Sequence, residues 1–345
     1  MPGIAPARWF WIIIALIVAG VAVVVPAALA LRDEEAPSAA TRVGHAPPDR
    51  QGYFRTAPVG SWSRLPTDAA CARRVHRSTW EPRPENAAAN HRTFPVDRVH
   101  HSLAVRPVAV EHSYDKRWDR WLLARVTGHH TGTTDEIVQW AACKWGIADN
   151  VLRAVAVRES TWFQALAYAS GACVTNFGCG DWVTRATSAT KVFCASIDRL
   201  GLDGTSGRRG RAGVCPRTFG IVGVMSWQDP RWGRLLDNQN GTFPFNQQST
   251  AFAADYLASQ LRGCYEGWEW WLRNTGTRDY RAGDLWGCVG AWYSGDWHSA
   301  TADGYVSRVR QELARRTWLD PGWAAQLPPC SSTEGCPRGG HRRGP

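Results

Sequence analysis

Leu152-Arg153-Ala154-Val155-Ala156-Val157-Arg158-Glu159-Ser160-Thr161-Trp162 is the stretch on which the fold and the chemistry both turn. Its apolar positions include Leu152, Val155 and Ala156, and Asp149 or Asn150 precedes it as a cap, which predicts a helix from 151 to about 162. Glu159 lies seven residues after Leu152 and four after Val155. At 3.6 residues per turn it shares their inward face, while Arg153 and Arg158 are expected to point outward. A carboxylate on an apolar face is costly when ionised, so burial is expected to raise its pKa and leave it able to donate a proton. The structural alternative is a buried ion pair with an arginine such as Arg153 or Arg185.

Upstream, Thr133 and Glu136 form a Thr-x-x-Glu capping box ahead of Ile137, Trp140 and Ala141, and Gly146 is placed to end that helix. Trp118, Trp121, Leu122 and Val126 recur at spacings of three to four and predict an earlier amphipathic helix. Two later helices are expected over 250–261 and 303–317, and hardly any alternating strand pattern is present. The expected class is therefore mainly α, a single helical domain over 113–323. Within it, Cys173, Cys179, Cys194 and Cys215, with the Gly- and Arg-rich 204–213, read as a disulfide-pinned insertion rather than a phosphate-binding loop.

Residues 9–31 carry no charge, enough at about 1.5 Å per residue to cross roughly 30 Å of hydrocarbon. They read as a transmembrane anchor or a signal segment. The cytoplasmic stub 1–8 contains Arg8, and Asp33 to Glu35 follow the apolar run, so the remainder is expected outside the membrane. Residues 32–112, with Pro47, Pro48, Pro82 and Pro84, read as a Pro-rich stalk, though Cys71 suggests that part of it docks. The tail 324–345 is basic and Gly/Pro-rich, with Cys330 and Cys336 as a local bridge.

All ten cysteines follow the apolar run, which favours disulfides in an oxidising compartment. Neither a metal nor a cofactor is expected, because no ligand set with close Cys or His spacing is present. A net charge of +10 suggests an anionic wall polymer, a carboxylated glycan or lipid headgroups as partner rather than nucleic acid.

The quoted helix resembles that of soluble lytic transglycosylases and goose-type lysozymes, in the lysozyme-like superfamily, where a Glu-Ser pair ends a small-apolar run and the Glu is the catalytic acid. Two further blocks follow in that family's order. Thr218-Phe219-Gly220-Ile221-Val222-Gly223-Val224 is similar to its Ser-aromatic-Gly-Leu-Met-Gln-Ile, and Ala291-Trp292-Tyr293-Ser294-Gly295 to its Ala-Tyr-Asn-Ala-Gly. Tyr305, Val306 and Val309 resemble its tyrosine-led last helix, so the likeness covers roughly 114–320.

The resemblance implies a bacterial enzyme with a lysozyme-like fold. Its substrate would be peptidoglycan glycan strands, cut at the β-1,4 bond between N-acetylmuramic acid and N-acetylglucosamine. Glu159 would be the catalytic residue, and Ser160, Phe219, Gly220, Gly223, Trp292, Tyr293 and Tyr305 would line the sugar site. Two positions depart from the pattern: Gly223 replaces a glutamine that contacts sugar, and Tyr293 replaces an asparagine. If the missing glutamine weakens a contact, restoring it at 223 should improve kinetics, unless the backbone there needs a glycine conformation. Some of the 20 tryptophans are expected in a sugar cleft, Trp292 first among them.

With one carboxyl, Glu159 acts as acid and then base, and the muramic acid C6 hydroxyl closes a 1,6-anhydro ring. A second carboxylate, for which Asp181 is the candidate, would permit hydrolysis instead. The rival from another class is a non-catalytic wall-binding scaffold that keeps the fold.

Overall fold

The computed structural model describes residues 45–104, 113–164, 174–175, 178–179, 187–198, 215–227 and 240–326. The apolar run 9–31, Asp181, Arg185 and the expected Cys330–Cys336 bridge lie outside the described residues. Within them, no helix is long and apolar enough to cross a membrane.

The fold is mainly helical, and its central helices begin and end on the signals their sequences carry. In Thr134–Trp145 (α4), Thr133 Oγ1 accepts from Glu136 N and the Glu136 carboxylate accepts from Thr133 N, while Gly146 closes the helix at φ 58°. Asp149–Ser160 (α5) starts two residues earlier than expected. Ala148 occupies the N-cap, and Asp149 uses its carboxylate on Tyr53 N, Phe54 N and Arg153.

Thr250–Tyr265 (α8), Leu285–Ser294 (α9) and Ala300–Arg315 (α10) are capped by Ser249, Asp284 and Ser299, whose side chains accept from the third residue on. These five helices pack on one another, α10 lying against both α5 and α9. Glycines permit the close approaches: Gly290 leaves room for Ala302, and Gly263 for Trp118 and Leu122. The segment Trp118–Leu123 is a π-helix where a regular α-helix is expected, with Trp118 and Leu122 buried as the pattern predicts.

Four strands of two residues each, Val174–Thr175 (β1), Gly178–Cys179 (β2), Thr218–Phe219 (β3) and Val224–Met225 (β4), form one small sheet in that order. Strands this short show no alternation, so they leave no signal in the sequence. β3 and β4 pair antiparallel, Thr218 with Met225 and Phe219 with Val224.

The stalk reading is corrected over its described part. Residues 45–104 carry Asp68–Ala72 (α1), Ala87–Asn90 (α2) and Val96–Ala104 (α3), and they pack against the helical core. Cys71 is bridged to Cys143 of α4, and Val75, Phe94, Val99 and Leu103 are buried. Prolines interrupt helices here without preventing the intervening apolar residues from reaching the core, so the folded unit begins well before 113. Cys194 pairs with Cys215, the bridge expected within 173–215, and Cys264 of α8 pairs with Cys288 of α9.

Candidate active site

Glu159 sits in the last turn of α5, where the helix leaves the core, and its side chain is partly exposed. Leu152 and Val155 on the same face are buried, as the periodicity predicts. Arg153 is not outward but 0% exposed, donating to Asp135 at 2.7 Å and to Asp149 at 2.7 Å. It is committed to those two carboxylates.

The hydroxyl of Tyr305, on α10, donates to Glu159 Oε1. Tyr305 is buried, and burial together with the neighbouring Glu159 charge pushes its phenol well above the usual tyrosine range, which keeps it a donor. Tyr293, from the end of α9, stacks on the Tyr305 ring with centroids 4.4 Å apart and planes within 2°, and is itself 51% exposed. Glu159, Tyr305 and Tyr293 thus form a step from buried donor to open aromatic face.

The β3–β4 hairpin supplies the other side. Gly223, at φ 66°, lies so close that a Cβ added to it would stand 3.0 Å from Glu159 Oε2. Ser160 does not face the opening: its hydroxyl donates to Ile221 O at 2.7 Å and fixes the hairpin to α5. Gly220, at φ 85°, packs against the Asn246 carbonyl, and Phe219 is buried in a separate cluster with Phe193, Trp227 and Phe243. These three support the hairpin rather than line the opening. Trp292 packs partly buried against the main core, and its neighbour Tyr293 is the ring presented beside Glu159.

Sequence reasoning misses the residues that secure the end of α5. Thr161 and Trp162 both take left-handed conformations, at φ 54° and 68°, each costing on the order of 1–3 kcal/mol in a non-glycine residue. Arg83 Nε donates to Thr161 O at 2.8 Å, and Asn86 Nδ2 donates to Trp162 O at 2.7 Å. Gln164 accepts from Ile221 N at 2.8 Å and donates to Asn246 O at 2.7 Å, so the turn after Glu159 and the hairpin share one polar brace. Arg83 is fully buried, and burial lowers its pKa to about 10. Gln164 is the one member a sequence signal could reveal, as a polar residue directly after the buried Trp162-Phe163 pair.

Among the described residues no group of three or more His, Cys, Asp or Glu side chains is arranged to hold a metal ion. Comparisons of the chain with protein-family models, curated proteins and solved structures return no match.

Proposed function

We propose that the chain is a peptidoglycan lytic transglycosylase of lysozyme-like fold, cutting the bond between N-acetylmuramic acid and N-acetylglucosamine with Glu159 as its acid and base. The observation that carries this reading is the placement of Glu159. The carboxyl is partly open, rests on a helix buried everywhere but at Arg158 and Glu159 itself, takes a hydrogen bond from a buried phenol, and that phenol stacks on an exposed aromatic ring.

The carboxyl gives its proton to the glycosidic oxygen as the sugar becomes oxocarbenium-like. The resulting carboxylate, still held by Tyr305, accepts the proton of the muramic acid C6 hydroxyl, which closes on C1. Tyr293 offers an apolar ring face suited to the C–H face of a pyranose. The anhydro ring forms without water because the attacking hydroxyl belongs to the same sugar. In this reading the apolar run 9–31 anchors the enzyme to the outer side of the cell membrane, beside its substrate.

Mass spectrometry of digested peptidoglycan tests the assignment, since an anhydro end is one water lighter than a reducing end. Anhydro-muropeptides support it, and reducing ends would make the protein a hydrolytic muramidase. Undegraded wall that still binds the protein would leave the scaffold reading.

A further inference from the structure

Tyr305 faces Glu159 from one side of α10, and Ser307, Arg310 and Gln311 lie about 140–240° round the same helix at 100° per residue. They form one wall of a groove of about 510 Å³, with Arg278, Trp286 and His298 on the other. The groove is therefore separated from Glu159 by the body of α10. Its size lies in the range of roughly 300–1,000 Å³ that suits small-molecule and oligomer ligands.

Trp286 offers a partly exposed ring, and the Arg310 guanidinium stands 4.5 Å from its centroid. A guanidinium stacked on an aromatic ring keeps its in-plane N–H donors free, and their fork matches a carboxylate or a phosphate. Neither Arg278 nor Arg310 enters an ion pair among the described residues. Asp303 is the one carboxylate on the described lining, and it is occupied, with Oδ1 3.0 Å from His298 Nδ1. His298 Nε2 in turn lies 2.8 Å from Asp284 Oδ2.

The lining thus combines two guanidiniums outside any described ion pair, one carboxylate bonded to His298, the Trp286 ring, and hydroxyl and amide groups from Ser307 and Gln311. A purely apolar ligand would desolvate both guanidiniums without replacing their partners. Single-stranded nucleic acid is usually held by several stacking rings along a phosphate track, whereas the rings on this lining are Trp286, covered by Arg310, and the His298 imidazole, held between Asp284 and Asp303. Saccharide hydroxyls match the Ser and Gln groups, and acidic substituents match the arginines, one of which Trp286 holds in place.

We infer that this groove is a second, non-catalytic binding site for an acidic glycan, a saccharide strand bearing carboxylate or phosphate groups. It would hold the protein on an acidic polymer while Glu159, across α10, stays free to act. The site stands on its own residues and does not depend on the reaction assigned to Glu159.

Isothermal titration of the full chain in detergent micelles, at about 0.15 M salt to screen diffuse attraction, tests it with polygalacturonate, dextran phosphate, neutral dextran and oligodeoxythymidylate. Binding of either acidic polymer, with none to dextran, is expected, and the preferred polymer identifies the acidic group. Loss of a charge-assisted contact in Arg310→Gln or Arg278→Gln should weaken binding by about tenfold or more. The charge-matched Arg64→Gln, outside the groove, should stay within about twofold, as expected of an exposed charge making little contact. Glu159→Gln should bind as wild type, so a failed glycosidase assignment leaves this result intact. Equal binding of dextran, tighter binding of the oligonucleotide, or equal weakening by Arg64→Gln and Arg310→Gln would overturn the inference.

Discussion

The two ends of α5 handle their charges in opposite ways. At the N-terminal end Asp149, Arg153 and Asp135 are all buried, and each carboxylate meets the guanidinium at hydrogen-bonding distance. At the C-terminal end Glu159 is partly open and is held by the neutral hydroxyl of Tyr305. A charge fixed by an opposite charge in a dry interior is committed to structure, because removing either partner strands the other. The hydrogen bond that Glu159 takes from Tyr305 comes from a group with no charge of its own, unlike the guanidinium at the other end. In the proposed reading the helix places a structural acid, Asp149, ten residues before the reactive one, Glu159.

The strongest test exchanges the reactive acid. Glu159→Gln keeps the shape and removes the transferable proton, so turnover should fall by about 10²–10⁴-fold while the melting temperature stays near wild type. Full turnover by the folded variant would refute the assignment. At the other end Arg153→Met should show the reverse pattern. It leaves Asp135 and Asp149 buried without their cation and should lower unfolding free energy in urea by about 3–5 kcal/mol. A variant of unchanged stability would show that the two ends are not different in kind.

Glu269 offers a third environment, buried at 7% exposure and in no ion pair among the described residues, and burial raises its pKa to about 8. The unfolded chain binds fewer protons than the folded one between about pH 4.5 and 8, so stability is full below that window and is lost as pH rises through it. Glu269→Gln should flatten that part of the pH profile and raise stability at pH 8 by up to a few kcal/mol. The check is a urea midpoint series across pH 4–9. An unaltered slope would place the titrating group elsewhere.

Gly223 sharpens the comparison at the reactive end. The resemblance makes glutamine the expected residue there, but φ is 66° and the added Cβ would crowd Glu159 Oε2. The backbone branch of the sequence expectation is therefore the one the geometry favours. Gly223→Gln should cost about 1–2 kcal/mol of stability in chemical denaturation and lower turnover instead of restoring a sugar contact. Faster turnover by this variant would show that the hairpin adapts.

Legibility followed locality. The capping box of α4, Gly146 and the buried set Leu152 and Val155 were readable because caps and 3.6-residue spacing act within a few residues. Arg153 was misread because α5 is enclosed on nearly every side, and periodicity separates faces only when one of them meets water. The docking of 45–104 was hidden behind its prolines, with Cys71 the sole local hint. At the site, Glu159 and Tyr305 lie 146 residues apart, and the resemblance to a family assigns both to the sugar site without pairing them. Arg83 and Asn86 bond the backbone carbonyls of the two left-handed residues after α5, and no pattern in one sequence announces those.

The smallest expected effect isolates the phenol that distinguishes the reactive end. Tyr305→Phe keeps the ring, and with it the stack against Tyr293, and deletes only the hydroxyl that donates to Glu159 Oε1. One hydrogen bond to a charged acceptor is worth about 1.5–3 kcal/mol where it is buried, and less where the acceptor is partly open to water, as here. Stability should therefore fall by about 1 kcal/mol at most. Turnover should fall by about tenfold, because the carboxyl loses the donor that orients it and supports its ionised form after proton transfer. The pH profile separates positioning from bulk stability. With the donor gone the ionised form of Glu159 is less favoured, so the pH–rate limb that reports this group should move to higher pH in the phenylalanine variant. A lower rate with an unmoved limb would mean that Tyr305 fixes the ring stack and the helix packing alone. In that case the protonation of Glu159 is governed by something other than this phenol.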